Sequence, residues 1–145
     1  MLTRAAQLAS LSSSKVYKHG AIIVKGGAVL SSGWNGTNDI FFCNRTNTYI
    51  RLHAETSALK SCSSTKGVDV YVSRILANGS LAMSRPCEMC QAYAFMVGAS
   101  RVFYSINDKY YGIYKPNVAT HATLRGARSI KCLYSGIAQE SILRR

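Results

Sequence analysis

Two short motifs contain side chains that could hold a metal ion. His53 and Glu55 lie two positions apart, and Cys87 and Cys90 lie three positions apart directly after Pro86. One imidazole and two thiolates are a typical ligand set for catalytic zinc, because three protein ligands leave the fourth tetrahedral position open for water. A closed structural site would need a fourth protein ligand. The motifs therefore predict a zinc site with one open coordination position.

Both motifs must lie near the start of a helix if their side chains are to share one centre. Two cysteines at positions i and i+3 fall on one face of a helix, and unpaired N–H groups at its start favour thiolates. Pro86 suits that place because its missing N–H costs nothing there. His53 and Glu55, two residues apart, would diverge inside a regular helix. We therefore expect them in the first turn of a helix.

The two motifs resemble the H-x-E and P-C-x-x-C signature of the zinc-dependent nucleobase deaminases, with 30 residues between Glu55 and Pro86. Residues 20–24 (GAIIV) look like the first strand of that superfamily. Residues 32–37 (SGWNGT) look like the turn of deoxycytidylate and tRNA adenosine deaminases. The resemblance covers roughly residues 1–106 and identifies the chain as a member of the cytidine/deoxycytidylate deaminase superfamily.

The resemblance implies a fold, a cofactor and a reaction. The fold would be a three-layer α/β/α cytidine deaminase-like sandwich with a five-stranded mixed sheet. His53, Cys87 and Cys90 would hold Zn²⁺, and Glu55 would be the general acid/base. The reaction would be hydrolytic deamination of a cytosine base, most like the conversion of deoxycytidylate (dCMP) to dUMP and ammonia.

The same resemblance implies three substrate contacts. Asn35 would contact the nucleoside, the backbone N–H of Ala54 the base, and the backbone C=O of Ser84 the leaving amine. Two departures from the family pattern concern phosphate binding by this loop and substrate entry, respectively. Asn38-Asp39 stands where deoxycytidylate deaminases usually have Pro-Arg, and residues 77–83 look like an inserted hairpin at the rim of the site.

Net charge supports a competing interpretation of the substrate. The chain has 18 Lys and Arg against 6 Asp and Glu, a net charge of +12. Such a balance favours polyanionic partners, so a deaminase acting on cytosine or adenine in single-stranded DNA or RNA is an alternative. Residues 109–115 place three tyrosines between two lysines, as a base-stacking platform would, and a solvated loop with one or two buried tyrosines is the alternative. A third hypothesis is a catalytically silent, nucleic-acid-binding deaminase-like module, although the intact Glu55 argues against it.

Cysteine usage and hydropathy limit the remaining choices. Five cysteines form an odd number, which favours a reducing compartment over a disulfide framework. One alternative is that the chain binds no metal, and another is a structural zinc site with Cys43, Cys62 or Cys132 as its fourth ligand. Neither alternative explains the presence of Glu55. His19 and His121 are assigned to packing or to the surface. We expect a single domain over residues 1–145, soluble and intracellular (cytoplasmic), without membrane contact, and compatible with a homo-oligomer.

The hydrophobic pattern predicts the elements that carry these residues. An amphipathic first helix precedes a hairpin over 19–25 and 28–34, and residues 35–48 form a loop. Further strands are predicted over 68–75, 81–83, 101–106 and 129–134, and further helices over 52–62, 87–97, 118–125 and 137–144. Alternating strands and helices predict an α/β sandwich with part of the sheet parallel.

Overall fold

The computed structural model describes residues 1–36, 40–43, 48–116 and 140–145. The helices are α1 (Leu2–Ala9), α2 (Ala54–Lys60) and α3 (Glu88–Met96). The strands are β1 (Lys18–Lys25), β2 (Ala28–Trp34), β3 (Ile40–Cys43), β4 (Thr48–Arg51), β5 (Asp69–Ile75), β6 (Leu81–Ala82), β7 (Arg101–Ser105), β8 (Tyr110–Tyr114) and β9 (Glu140–Arg144). No helix within these ranges is long and apolar enough to cross a membrane.

A mixed sheet forms the centre of the fold. Its strand order is β2-β1-β5-β7-β8-β9, with β6 paired to β5. The β5–β7 pair is parallel and the other pairs are antiparallel. Gly26 and Gly27, with φ of 57° and 84°, make the tight turn between β1 and β2 that only positive φ allows. The parallel pair places α3 as the crossover between β5 and β7.

Helices cover both faces of this sheet. Alternate residues of a strand point to opposite faces, and β1 buries both sets. Ile22 and Val24 pack with Ala5 of α1 on one face. Ala21 and Ile23 belong to the cluster that contains residues of α2 and α3 on the other face. The predicted three-layer α/β/α arrangement is confirmed.

The predicted number of strands was too low. The described residues form seven strands in the central sheet, rather than five, because β6, β8 and β9 also pair. The helix predicted over 137–144 is wrong for its described part, since Glu140–Arg144 is a strand that pairs with β8. Short apolar patterns do not separate helix from strand, and the backbone of β8 offers hydrogen bonds to a neighbour. The elements predicted over 118–125 and 129–134 lie outside the described residues.

The predicted loop over 35–48 also contains structure. Ile40–Cys43 and Thr48–Arg51 pair antiparallel in a separate two-stranded sheet. Both segments contain the β-branched and aromatic residues that favour strands. The surrounding Asn and Thr residues obscured that preference in the sequence.

Gly33 lets α2 approach β2 closely enough to place the start of the helix beside the sheet. A Cβ atom at this position would lie 2.6 Å from the backbone N of Ala58 and 2.8 Å from the backbone O of Ala54.

We expect Gly33→Ala to lower the free energy of unfolding by about 1–3 kcal/mol, measured by denaturant titration, because α2 must move. Ser32→Ala, at the exposed neighbouring position, should change it by less than about 0.5 kcal/mol. Equal stability of the two variants would contradict this close-packing argument.

Candidate active site

The first turn of α2 brings His53 and Glu55 to the same side. His53 is the N-cap residue, with an extended backbone (φ −75°, ψ 163°), and the helix begins at Ala54. Its carbonyl accepts hydrogen bonds from the Ser57 N–H (2.9 Å) and the Thr56 hydroxyl (3.0 Å). Because the N-cap residue is not helical, two side chains two positions apart can face one centre. The expected placement at a helix start is confirmed.

The start of α3 presents the two cysteines in a similar way. Cys87 is the N-cap residue, also extended (φ −66°, ψ 164°), and Cys90 lies in the first turn. Gln91 secures this end of the helix. Its backbone N–H donates to the Cys87 carbonyl (2.9 Å), and its side-chain Nε2 donates to the Pro86 carbonyl (2.7 Å). The two sulfur atoms are therefore held on a fixed turn.

The donor atoms of the three predicted ligands lie close together. His53 Nδ1 lies 3.5 Å from Cys87 Sγ and 3.4 Å from Cys90 Sγ, and all three donor atoms lie within 4.8 Å of one another. Zinc at its usual bond lengths in a tetrahedral site would separate a nitrogen and a sulfur ligand by about 3.6 Å. The donor set therefore fits Zn²⁺ in both chemistry and spacing.

Burial and mutual contact shift the ionisation of the donors. Hydrogen bonding to Cys90, opposed by partial burial, holds the pKa of the Cys87 thiol down to about 4. The hydrogen bond to Cys87 and burial raise the pKa of Cys90 well above its ordinary value. The hydrogen bond to Cys87 raises the pKa of His53. A thiolate is therefore already favoured at Cys87, as a zinc ligand requires.

Glu55 is a buried carboxyl group beside the metal ligands. It is only 6 % exposed, and burial raises its pKa. Buried carboxyl groups are uncommon unless they are paired or functional. Glu55 also lines a cavity of about 300 Å³ together with His53 and Cys87. The carboxyl group and the ligand set therefore face the same space.

Sequence comparison decides the family of the chain. A family model described as the cytidine and deoxycytidylate deaminase zinc-binding region matches residues 1–106. The chain belongs to this deaminase family. The predicted zinc cofactor and the predicted deaminase class of enzyme are thereby confirmed, with the His53, Cys87 and Cys90 cluster as the matching donor set.

Solved structures agree with the family. The dCMP deaminase of cyanophage S-TIM5 in its apo form is 28 % identical, covers 72 % of this chain and 79 % of that chain, and has a TM-score of 0.54. The same enzyme in complex with dCMP and dUMP is 28 % identical over 71 % and 76 % of the two chains, with a TM-score of 0.53. Acinetobacter baumannii RibD, form 2, at 17 % identity, a TM-score of 0.50 and coverage of 72 % and 27 %, supports the fold alone. No curated protein matches the chain.

Two of the three substrate-contact residues expected for a member of this family line the cavity. Asn35 and Ala54 do so, whereas Ser84 is not among the lining residues. The amide of Asn35 is engaged in the structure: Oδ1 accepts from the Ser12 hydroxyl (2.8 Å) and the His19 N–H (2.8 Å), and Nδ2 donates to the Tyr17 carbonyl (2.6 Å). Asn35 therefore also fastens the segment before β1 to the end of β2.

Ser84 holds the segment before α3 to the central sheet by hydrogen bonds. It is 2 % exposed, its hydroxyl donates to the Val72 carbonyl (2.9 Å), and it accepts from the Ser105 N–H (2.8 Å). The Ser84 N–H donates to the Ser105 carbonyl (2.8 Å). These bonds join the segment before α3 to β5 and β7. The expected contact of the Ser84 carbonyl with a leaving amine stays a prediction.

Three further cavity residues were missed by the sequence analysis: Tyr17, His19 and Arg85. His19 was assigned to packing or to the surface, but the structure places it in the cavity lining. Burial and the charge of Arg74 lower its pKa. A sequence signal did exist, because the hairpin predicted over 19–25 and 28–34 brings His19 beside the end of the second strand, which Asn35 follows.

The other cysteines bear on the alternative of a four-ligand structural site. Among the described side chains, the donor cluster contains His53, Cys87 and Cys90, and Cys62 lies apart, donating to the Ser64 carbonyl. The side chain of Cys43 and all of Cys132 lie outside the described set. The described donor set therefore has three members.

We expect one zinc ion per chain, measured by elemental mass spectrometry of the purified protein. Cys90→Ser should lose most of this zinc, because a hydroxyl is a far poorer zinc ligand than a thiolate. Cys62→Ser is the matched control and should retain it. Zinc retained by Cys90→Ser, or lost equally from both variants, would contradict the three-ligand assignment.

Proposed function

We propose that the protein hydrolytically deaminates the cytosine base of a nucleotide, with dCMP as its free nucleotide substrate and dUMP and ammonia as products. The observation that carries this proposal is the buried Glu55 carboxyl group in one cavity with the His53, Cys87 and Cys90 donors. The 28 % identity to an enzyme solved with dCMP and dUMP supports the choice of substrate.

In this mechanism the zinc ligands and Glu55 have separate roles. His53, Cys87 and Cys90 would hold the zinc ion, which supplies Lewis acidity that acidifies a water molecule. Glu55 transfers one proton of that water to the ring nitrogen N3, and then transfers the second proton, from the hydroxyl group now on C4, to the amine. The water oxygen bonds to C4 of cytosine, the C4–N4 bond breaks, and the amine leaves as ammonia. Water is the only co-reactant.

Backbone and amide groups orient the base in this proposal. The N–H of Ala54 belongs to the first turn of α2, where backbone N–H groups have no acceptor within the helix. It is therefore available to a carbonyl on the base. Asn35 has a second Nδ2 hydrogen beyond the one donated to Tyr17, and it would reach the sugar. The Ser84 carbonyl would receive the leaving amine.

The competing substrate is cytosine or adenine in single-stranded nucleic acid. The net charge of +12 favours a substrate with more than one phosphate. The silent-module hypothesis would leave a buried carboxyl group beside a complete zinc ligand set without a role. The single-domain organisation and the homo-oligomer stay predictions.

We expect the zinc-loaded protein to convert dCMP to dUMP, measured by mass spectrometry as the replacement of the amine by a carbonyl. Glu55→Gln should retain zinc and lower kcat by about 10²–10⁴-fold, because the amide cannot shuttle the proton. Glu88→Gln, at an exposed position in the first turn of α3, carries the same change and should keep its activity. Turnover retained by Glu55→Gln would contradict the proposed mechanism.

A further inference from the structure

Tyr17 presents an aromatic ring at the rim of the active-site cavity. The residue is 56 % exposed, yet it lines the same cavity as Glu55 and His53. The guanidinium carbon of Arg74 lies 4.5 Å from the centre of the ring. The Nε atom of Arg74 is buried and has no hydrogen-bond acceptor among the described residues. One face of the ring therefore covers a cation, in the geometry of a cation–π contact.

Hydrogen bonds fix the backbone of Tyr17, and its ring packs on Arg74. The Tyr17 N–H donates to the Ser14 hydroxyl (3.1 Å), and the Tyr17 carbonyl accepts from Asn35 Nδ2 (2.6 Å). Arg74 belongs to β5, where it pairs in register with His19 of β1. A ring fixed in this way loses little conformational freedom when a planar group stacks on it.

The charged residues near Tyr17 in the sequence are all basic, and the acidic residue of the shared cavity, Glu55, is the carboxyl group of the proposed mechanism. Residues 1–38 contain no aspartate or glutamate, and Lys15 and Lys18 flank Tyr17 in the sequence. Arg85 belongs to the same cavity lining. Such a surround attracts phosphate groups and would follow the backbone of a nucleic-acid strand. An exposed ring between cations is the combination by which proteins bind single strands, stacking bases while cations hold the phosphates.

The cavity has room for the target nucleotide but not for its neighbours in a strand. About 300 Å³ lies at the lower end of the range of ligand pockets, so the cavity suits one nucleotide. A neighbouring nucleotide of a strand must then lie at the rim, where Tyr17 is.

We propose that the Tyr17–Arg74 pair binds the nucleobase next to the target cytosine, so that the protein deaminates cytosine in short single strands as well as dCMP. This inference rests on the proposed function.

The platform predicted from sequence over residues 109–115 is a weaker candidate. Most of this segment is β8, within the sheet. Tyr114 is buried at 2 % exposure, and Tyr110, although 41 % exposed, does not line the cavity. Tyr110 instead offers a control, because it is an exposed tyrosine outside the active site.

The test compares three substrates for the zinc-loaded protein: dCMP, a short DNA strand with one cytosine flanked by adenines, and the same strand with abasic flanking sites. We expect a higher kcat/KM for the adenine-flanked strand than for the abasic-flanked strand. Tyr17→Ala should lower kcat/KM on the adenine-flanked strand by about tenfold to a hundredfold, the range of one lost stacking contact, and remove the preference. Tyr17→Phe should retain the preference, and Tyr110→Ala should match the wild type on all three substrates.

Several results would overturn the inference, and they differ from failure of the proposed function. Equal rates on the two strands, or an equal loss on dCMP and on the adenine-flanked strand in Tyr17→Ala, would show that the ring does not bind a base. Deamination of dCMP without deamination of either strand would overturn the inference and leave the proposed function standing. Absence of turnover on all three substrates would contradict both. Zinc content and thermal unfolding of Tyr17→Ala, unchanged from the wild type, would exclude a general loss of structure.

Discussion

The contact between the N-termini of α2 and α3 is the constraint on which the rest of the site depends. His53 Nδ1 must reach both sulfur atoms at 3.4–3.5 Å, although the two helices belong to separate parts of the chain. A shift of one helix by an ångström would break this spacing. Each helix start is held in a different way. The missing Cβ of Gly33 lets α2 pack closely on β2, and the hydrogen bonds of Ser84 hold the segment before α3 to β5 and β7.

The buried polar groups beneath the site show how such docking is achieved at low energetic cost. Ser105, the last residue of β7, and Ser84, in the segment before α3, are buried at 0 % and 2 % exposure. Each hydroxyl has partners: that of Ser84 contacts Val72 and Ser105, and that of Ser105 donates to the Ala82 carbonyl (2.7 Å). Buried hydroxyls without partners would cost about 1–3 kcal/mol each. With partners, they join β5, β6 and β7 at the point where the chain enters α3.

The sequence predicts the parts of the site that depend on local chemistry. The His53, Glu55, Cys87 and Cys90 spacing specifies helix starts, because caps and first turns are determined by a few adjacent residues. The turn of Gly26 and Gly27 and the apolar run of β1 are equally local. The predictions that failed involve pairing between strands, whether near in the chain, as for β3 with β4, or distant, as for β8 with β9. Tyr110–Tyr114 is a strand because β7 and β9 lie beside it, and its mixture of tyrosines, glycine and isoleucine does not reveal those neighbours.

The base-binding rim that we propose depends on the same long-range pairing. His19 and Tyr17 enter the cavity because β1 pairs with β5, which places Arg74 behind the Tyr17 ring, and because Asn35 ties this segment to β2. No motif in the sequence links Tyr17 to Arg74, which lies 57 positions later. The catalytic centre is built from local motifs at two helix starts, whereas the rim is built from strand register. If the proposed function holds, a deaminase of this kind can keep its zinc chemistry while changes in the rim alter which bases and phosphates it accepts beside the target base.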